Sequence, residues 1–576
     1  MLFMDRLTDK AGWEKKVFDR DITAKWQEEA ADMDQEPWYA EITSGKDFQN
    51  MREPSVPMID ADIFHYCLEE LKGKARYFEE TGLIPTLDAA GNAVVKSDTL
   101  VPSHLKSSLR AAFDRLQADQ ASDVDWHPRT NNQVQDLVHP SMYPFVYDRS
   151  QFIEQEVVGI SNAVHEWSGK LGDVLEVKPD DRNILLPSYL WSEKYQWLPA
   201  NLAFQSDGSV KFTSYVNNLH PDKYPDIYRA IEDLLAVTIP AWDQVLRKHD
   251  PSDNIPPTGV QKTRFQRPGY QDEVTDDVYI WLQGGGAHDE SEEQVSWTDL
   301  PAEERARKVD AAFDATFEKF TKRRVWESMR EPIFPMPDEV APSDINYSTS
   351  KSLRDYFQDR GLQVIVKMAT IELTPEKPEF RQGSWHIEGQ MNEHICATAL
   401  YYLDSENVTP SHLSFRKTTP SDSMADFEYG QDSYNYLEQI YGTGLREDGC
   451  LQNYGSIETR EGRLLAFPNT FQHRVSSFEL QDPTKPGHRR FIALWLVDPH
   501  VRIISTANVP PQQRSWWEET TFDGAGEHPP GRVVPPGLMT VEEAKEHRLA
   551  LMEERSRFHQ DSEERFVTNK YNFCEH

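Results

Sequence analysis

A change in hydrophobic periodicity near residue 360 is the strongest constraint on the fold of this chain. Six segments beyond this point have the apolar, β-branched and aromatic character of strands, and clusters of turn-forming residues separate them. They are LQVIVKMATIEL (362–373), HICATALYYLD (394–404), SHLSFRK (411–417), GRLLAFP (462–468), QHRVSSFEL (472–480) and RRFIALWLVDP (489–499). Many short strands in about 140 residues predict a β-sandwich or a jelly-roll barrel.

Segments on both sides of this region have helical character instead. Residues 60–82, 103–119 and 151–172 place apolar side chains at spacings of three and four residues. Residues 224–250 predict another long helix. Residues 540–560 predict a C-terminal helix, because a threonine cap is followed by a glutamate in the first turn.

The order of these segments predicts an α+β protein of four parts. A large, mainly helical N-terminal region is expected at 1–195, and a mixed region at 196–344 includes two strands around the turn SDG and an exposed acidic loop at 284–310. A jelly-roll barrel of the double-stranded β-helix, cupin-like type is expected at 345–510. A helical extension at 511–576 follows, and we expect the helical parts to wrap the barrel.

Composition narrows the class of function. The formal net charge is −35, and a surface this acidic repels phosphate backbones and anionic lipids, which disfavours nucleic-acid and membrane binding. No apolar run is long enough for a membrane span, the first residues lack signal-peptide character, and the four cysteines are scattered. We expect a cytoplasmic protein that acts on a small molecule. An anionic substrate would need a local basic pocket, and the oligomeric state is left open.

The segment GSWHIEG contains the first two candidate metal ligands, His386 and Glu388. Residues i and i+2 of a strand point to the same face, so both side chains can reach one point. His473 follows the apolar strand of LLAFPNTFQH and is the candidate third ligand. Two histidines and one carboxylate form the facial triad that suits non-haem Fe(II) and leaves coordination positions open.

Two adjacent arginines open the last strand of the β-rich region. Arg489 and Arg490 alternate faces of this strand, so only one of them can point into the barrel, and the spacing after Gly487 favours Arg489. An inward arginine suits two-point binding of a carboxylate.

These motifs resemble two known families. His386-x-Glu388, His473 and the strand that begins at Arg489 resemble the pattern of Fe(II)/2-oxoglutarate oxygenases over roughly residues 360–505. The wider chain resembles a fungal family known as domain of unknown function 4246. That likeness is carried by YQWLPANLAFQSDGSVKFTSYVNNLHPDKY, GSWHIEGQMNEHICATALYYLDSENVT and GHRRFIALWLVDP.

The oxygenase resemblance implies an activity and a set of cofactors. Fe(II) would bind His386, Glu388 and His473, and 2-oxoglutarate would bind the iron while Arg489 pairs with its distal carboxylate. Reaction with O2 would then oxidise a small organic substrate, with hydroxylation as the default and desaturation or ring closure as alternatives. A fungal family of this type suggests specialised metabolism as the setting. Glu388 departs from the pattern, since most of the superfamily has Asp at this position.

Further residues are candidates for substrate and co-substrate binding. Trp385 and Asn392 flank the proposed ligands, and Asn217 belongs to the unusual polar cluster of SYVNNLHP. Tyr401 and Tyr402 alternate on their strand, so one of them would face the pocket and bond the co-substrate; Tyr401 is taken as the candidate.

Two other classes of function remain open from the sequence. The first is a cupin-type metal dioxygenase that does not use 2-oxoglutarate and adds His394 to the three ligands. The second is a non-catalytic barrel that acts as a binding module.

Overall fold

The computed structural model describes most of the chain in ten stretches. These are residues 1–34, 37–38, 59–89, 92–167, 173–175, 188–246, 340–349, 352–419, 449–521 and 535–570, with a few short pieces between 259 and 333. The predicted loop at 284–310 lies almost entirely outside the described residues.

Nine α-helices occur in the described residues. They are α1 (Leu2–Thr8), α2 (Trp13–Lys16), α3 (Arg20–Ala31), α4 (Ala61–Thr81), α5 (Ser103–Asp119), α6 (Pro225–Val245), α7 (Leu353–Phe357), α8 (Arg514–Thr521) and α9 (Val541–Thr568). Short 3-10 helices lie at Ser188–Leu190, Pro342–Asp344 and Met391–Glu393.

The strands of the described residues fall into two groups along the chain. Those before residue 350 are β1 (Ile84–Ala89), β2 (Asn92–Ser97), β3 (Val134–Val138), β4 (Phe145–Val146), β5 (Gln151–Phe152), β6 (Asp173–Val174), β7 (Tyr195–Gln196), β8 (Ala200–Phe204), β9 (Val210–Phe212), β10 (Gly259–Val260), β11 (Gly269–Tyr270), β12 (Pro332–Ile333) and β13 (Ile345–Asn346). Those after it are β14 (Leu362–Leu373), β15 (Glu379–Phe380), β16 (Ile395–Glu406), β17 (His412–Thr418), β18 (Leu451–Glu458), β19 (Leu464–Pro468), β20 (Gln472–Val475), β21 (Phe478–Glu479) and β22 (Gly487–Val497).

A nine-stranded antiparallel sheet, here called the large sheet, forms the centre of the fold. Its order is β1-β2-β19-β16-β22-β14-β8-β9, and β3 also pairs with β14. A three-stranded sheet, here called the small sheet, has the order β18-β17-β20. The chain passes repeatedly between the two sheets after β14, as in a β-sandwich or a jelly roll.

The two faces of the large sheet are buried against different partners. Along β22, Ile492, Leu494 and Leu496 pack in one cluster with α5 and α6, whereas Ala493 and Trp495 pack in a second cluster with the small sheet. This alternation follows the period of two of a strand. Both faces of β22 are therefore core, which explains why its sequence is an almost continuous apolar run.

Most elements predicted from the β-rich and helical patterns are present. β14 and α5 have the predicted bounds, and the turn SDG joins β8 to β9. The C-terminal helix exists and is longer than predicted. The structure therefore confirms a mixed helix-and-strand protein with a large antiparallel sheet, which is compatible with the predicted jelly roll.

One predicted helix is wrong in the part that the structure describes. Residues 151–172 begin with β5 and continue as turns up to residue 167. The backbone N–H groups of Ile153 and Val157 donate to the carbonyls of Asn508 and Ala507, at 2.8 and 3.0 Å. These tertiary hydrogen bonds replace the helical ones that the apolar spacing suggested.

The four predicted domain limits remain a prediction. The large sheet takes strands from three of the four segments, since β1 to β3 precede residue 195 and β8 and β9 precede residue 344. In the described part of the chain, no helix is both long and apolar enough for a membrane crossing.

A buried arginine ties the N-terminal helices to the large sheet. Arg463 precedes β19 and is completely buried, and its guanidinium bonds Asp98 at 2.7 Å and Asp9 at 2.6 Å. Burial alone would raise the pKa of Asp98, but the hydrogen bonds and charges of Arg463 and Arg460 outweigh it and lower this pKa to about 2. The network gives a buried cation the partners that it needs.

Because the pKa of Asp98 is lower in the folded protein than its ordinary value of 3.8, its contribution to stability is present above about pH 4 and is lost as the pH falls towards 2. Asp98→Asn should lower the free energy of unfolding at pH 7 by about 1–3 kcal/mol. Urea titrations followed by tryptophan fluorescence should show this difference shrinking below pH 4. Asp123→Asn, at a carboxylate that is 79% exposed, is the control and should change stability by less than about 0.5 kcal/mol. A difference that stays constant down to pH 2 would contradict the assignment.

Candidate metal centre

A short backbone pairing brings two distant histidines together. His386 and His473 exchange hydrogen bonds between their N–H and carbonyl groups, at 3.2 and 3.0 Å, and the N–H of Gly383 donates to the carbonyl of Val475. Residues 383–388 thus extend the small sheet beyond β20. Side chains of directly opposed residues lie close together on one face, and the two imidazole centroids are 4.3 Å apart.

Glu388 completes the group of predicted ligands. Its Oε1 lies 3.4 Å from Nε2 of His473 and 3.8 Å from Nε2 of His386, and the three ligand atoms lie within 4.8 Å of one another. The amide of Asn469 holds the Glu388 backbone from both sides, since it accepts from the Glu388 N–H and donates to its carbonyl, each at 2.9 Å. Asn469 lies in the turn before β20, so it fixes Glu388 relative to His473.

The donor set fits a divalent transition metal such as Fe(II). Nδ1 of His386 lies 2.9 Å from the carbonyl of Ser384, which can only accept, so Nδ1 carries the proton and the lone pair of Nε2 is free for a metal. Among the described residues, Glu388 forms no ion pair with a lysine or arginine. Two imidazoles and one carboxylate are the ligand types of the Fe(II) facial triad.

The electrostatics favour the metal-binding protonation states of Glu388 and His386. Burial would raise the pKa of Glu388, but the hydrogen bond from His473 and the positive charge that the imidazoles carry at acidic pH outweigh it, and this pKa falls to about 2. Burial, with the charge of His473, lowers the pKa of His386. The carboxylate is therefore ionised near neutral pH and His386 is neutral.

In a second group of possible ligands, an arginine balances the charge of the carboxylate. His127, Asp136 and His139 also bring ligand atoms within 4.8 Å, and Nδ1 of His127 lies 2.8 Å from Asp136. Nη1 of Arg548 is 3.6 Å from Asp136. The N–H of Ser141 donates to Nδ1 of His139 at 3.1 Å, which leaves the proton of a neutral ring on Nε2. This group therefore suits a buried ion-pair network better than a metal.

The C-terminal helix covers the centre, a contribution that the sequence did not predict. The ring of His559 lies 5.7 Å from that of His386, and one helical turn earlier Arg555 bonds the fully buried Glu393 at 2.6 Å. The other oxygen of Glu393 accepts from the N–H of Gln390 at 2.6 Å. Helix α9 is thereby attached to the segment that follows Glu388. The i, i+4 spacing of Arg555 and His559 puts both side chains on one face of α9, but it does not show where that face docks.

The two candidate arginines lie on opposite faces of β22. Arg489 shares the inner face with Ala493 and Trp495, is 3% exposed, and donates to the hydroxyls of Ser411 and Thr459. No carboxylate among the described residues forms an ion pair with Arg489. Arg490 points towards the helices and is already bonded.

The partners of Arg490 are two carboxylates. Its guanidinium bonds both oxygens of Asp404, at 2.8 and 2.6 Å, and also Asp114 of α5 at 2.6 Å. A guanidinium that is saturated by carboxylates of its own chain has no free edge for a co-substrate.

The other four residues that the sequence predicted for substrate or co-substrate binding lie away from the three ligands or bond other parts of the chain. Tyr401 packs on the helix-facing side of the large sheet, while Tyr402 lies in the inner cluster. Trp385 alternates with His386 and stacks between the guanidinium groups of Arg416 and Arg474, 4.4 Å from each.

The two predicted asparagines brace the backbone. The side chain of Asn392 accepts from the N–H of Ser192 at 2.7 Å and donates to its carbonyl at 3.0 Å. Asn217 donates to the carbonyls of Met142 and Tyr143, at 3.1 Å each. Both amides are used inside the chain.

His394, the additional ligand of the cupin-type alternative, is not in the group of three. It follows the 3-10 helix Met391–Glu393 with φ +46°, and its ring faces Trp191 with 5.8 Å between centroids.

The fold and site define a mixed helix-and-strand protein with a large antiparallel sheet and a candidate centre for one metal ion. The chain belongs to the protein family of unknown function DUF4246: the family model matches residues 61–520, well over half of the chain. The model of the N-terminal DUF4246 domain matches residues 1–29. This confirms the family resemblance found in the sequence. No curated protein is similar enough to match the chain.

Several solved structures resemble part of the chain. A BsmA homologue from Methylobium petroleophilum PM1 is 11% identical with a TM-score of 0.16, over 25% of this chain and 46% of that one. TqaL, an Fe(II)/α-ketoglutarate-dependent dioxygenase, is 17% identical with a TM-score of 0.15, over 26% and 47%. AviO1 from Streptomyces viridochromogenes Tue57 is 12% identical with a TM-score of 0.13, over 24% and 54%. The chain spans about half the length of each of these proteins, and scores this low carry no conclusion about its chemistry.

Metal binding should distinguish the two groups of possible ligands. His473→Ala removes one of three ligands and should weaken Co(II) binding by more than about 100-fold. His127→Ala removes a histidine from the other group and is the matched control, which should leave the affinity unchanged. Anaerobic titration with Co(II), followed by its visible absorption, measures both. Loss of Co(II) binding in the His127 variant alone would move the centre to the other group.

Proposed function

We propose that this protein is a non-haem Fe(II)/2-oxoglutarate-dependent oxygenase that oxidises a small organic substrate. The observation that carries the proposal is the convergence of His386, Glu388 and His473, with Arg489 on the inner face of β22. We take the two facing sheets as a double-stranded β-helix. Its support is the order of the chain, which alternates between the large and small sheets from β14 to β22.

The three ligands hold the metal by one face in this proposal. Their backbones are fixed by the pairing of His386 with His473 and by the amide of Asn469. The rings of Phe467 and Phe415 lie 4.8 and 6.5 Å from that of His473 and keep water from one side. Fe(II) held by this rigid, partly dry ligand set would keep coordination positions open for the co-substrate and O2.

Arg489 binds the distal carboxylate of 2-oxoglutarate in this proposal. Burial lowers the pKa of Arg489, but an arginine remains charged at neutral pH. A buried cation without a carboxylate partner gains most from an anionic ligand. The hydroxyls of Ser411 and Thr459 lie beside it and can donate to the same carboxylate.

With both cofactors bound, one O2 and one 2-oxoglutarate would convert a substrate C–H group to C–OH and release succinate and CO2. The protein's own part is to position its three metal-binding side chains, orient the co-substrate through Arg489 and exclude water. Hydroxylation is the default outcome; desaturation and ring closure are the alternatives, and specialised metabolism is the proposed setting.

The activity itself has a direct test. Anaerobic addition of Fe(II) and 2-oxoglutarate should produce a weak visible charge-transfer band, and O2 should then cause release of succinate. Iron binding without the band and without succinate would instead favour a metal dioxygenase that does not use 2-oxoglutarate. Absence of iron binding would leave only a non-catalytic barrel.

The arginine assignment can be tested in the same assay. Arg489→Met removes the proposed partner of the distal carboxylate and should raise the Kd of 2-oxoglutarate at least about 10-fold. Arg490→Gln is the matched control: it should lower stability, because it breaks the pairs with Asp404 and Asp114, but leave the Kd within about twofold. The opposite pattern in the two variants would reverse the assignment.

A further inference from the structure

A lysine of the large sheet faces the candidate metal centre. Lys367 lies directly opposite Ala493 in the pairing of β14 with β22, and Ala493 belongs to the inner cluster. Directly opposed residues share a face, so Lys367 also points towards the small sheet. Phe415 and Phe467 of the same inner cluster lie beside the ring of His473, so this face of β14 is turned towards the centre.

The charge of Lys367 acts on the carboxylate of Asp136 as well as on that of Glu388, but Lys367 is paired directly with neither. It is half-buried, and no described residue forms a hydrogen bond or an ion pair with its ammonium. Other buried lysines of the described chain are paired: Lys96 bonds Asp5 at 2.6 Å and Lys74 bonds Asp88 at 2.8 Å. An ammonium withdrawn from bulk water without a partner is unfavourable. Asp136 already has His127 and Arg548 as closer partners, so an anionic ligand would give Lys367 its first direct partner.

Arg555 adds unused donors beside the same centre. Its Nη2 is bonded to Glu393, and its guanidinium lies 3.6 Å from the ring centroid of Trp197. Its Nε and Nη1 are buried and have no hydrogen-bond partner. Other described arginines also have a buried donor without a hydrogen-bond partner, but in each of them it is only the Nε. Arg555 lies one helical turn before His559, whose ring is 5.7 Å from that of His386, so this second cation lies beside the metal ligands.

We propose that the centre takes an organic substrate with an anionic group, most simply a carboxylate, and that Lys367 and Arg555 bind this group. This inference rests on the proposed oxygenase function and adds the class of substrate. Lysine and arginine offer only donors, so the ligand group must be an acceptor. Arg489 is assigned to the co-substrate, so Lys367 and Arg555 together form a separate anion site.

The charge of the whole protein supports a built site rather than a general attraction for anions. The chain carries a formal charge of −35, so its exterior repels anions. Cations that would only improve solubility belong on the outside. An unpaired ammonium and a half-used guanidinium beside the metal ligands instead provide selective binding after entry.

The experiment uses the full-length protein with Fe(II) and 2-oxoglutarate. A panel of small monocarboxylic acids, each with its neutral primary amide, is tested for an increase in succinate formation. Acids should stimulate and their amides should not. Lys367→Met should raise the half-saturating concentration of a stimulating acid at least about 10-fold and leave the Kd of 2-oxoglutarate within about twofold.

Two further variants complete the test. Lys377→Met is the matched control, because its ammonium bonds the carbonyl of Asn131, away from the centre, and it should behave as wild type. Arg555→Lys preserves a charge for Glu393 and should weaken acid stimulation without loss of Co(II) binding.

Three results would overturn the inference. The first is stimulation by amides as well as by acids, and the second is a protein that binds Fe(II) and 2-oxoglutarate but is stimulated by no acid. The third is weaker 2-oxoglutarate binding in Lys367→Met, which would assign Lys367 to the co-substrate. Failure of the wild-type protein to bind Fe(II) and 2-oxoglutarate would instead refute the proposed function itself.

Discussion

The backbone pairing between residues 383–388 and β20 is the contact on which the candidate centre depends. It consists of few hydrogen bonds, but it sets His386 directly opposite His473 and leaves Glu388 on the same face two residues later. The small sheet is held against the large sheet by a continuous apolar core. The positions of the ligands are therefore as well defined as the packing of the two sheets.

Charge is distributed in opposite ways on the outside and near the centre. The exterior of the protein is strongly acidic, while most buried arginines are paired: Arg463 with Asp9 and Asp98, Arg490 with Asp404. On the inner face of the large sheet, the buried Arg489 bonds only hydroxyls, and the half-buried Lys367 has no direct partner among the described residues. Since isolated buried charges are costly, these two positions are where a bound anion would add most to stability.

The sequence predicted those parts of the structure that local patterns determine. β14 and α5 have the predicted bounds because their periodicity is strong and their ends carry turn or cap residues. The three ligands could be chosen because chemistry restricts their types. The face occupied by Tyr401 could not, because both faces of β16 are buried and alternation alone does not show which of them is turned towards the small sheet. Arg555 was missed because nothing local indicates where a helix beyond residue 540 docks.

The position of α9 in the chain separates two properties of the candidate centre. The three metal ligands lie inside residues 61–520, which match the family model, whereas α9 covers the centre from beyond that range. Amino-acid changes on one face of this helix could therefore reshape the surroundings of the metal while every ligand stays in place. Related chains could share one reaction and diverge in the molecules that they accept, through variation confined to their last helix.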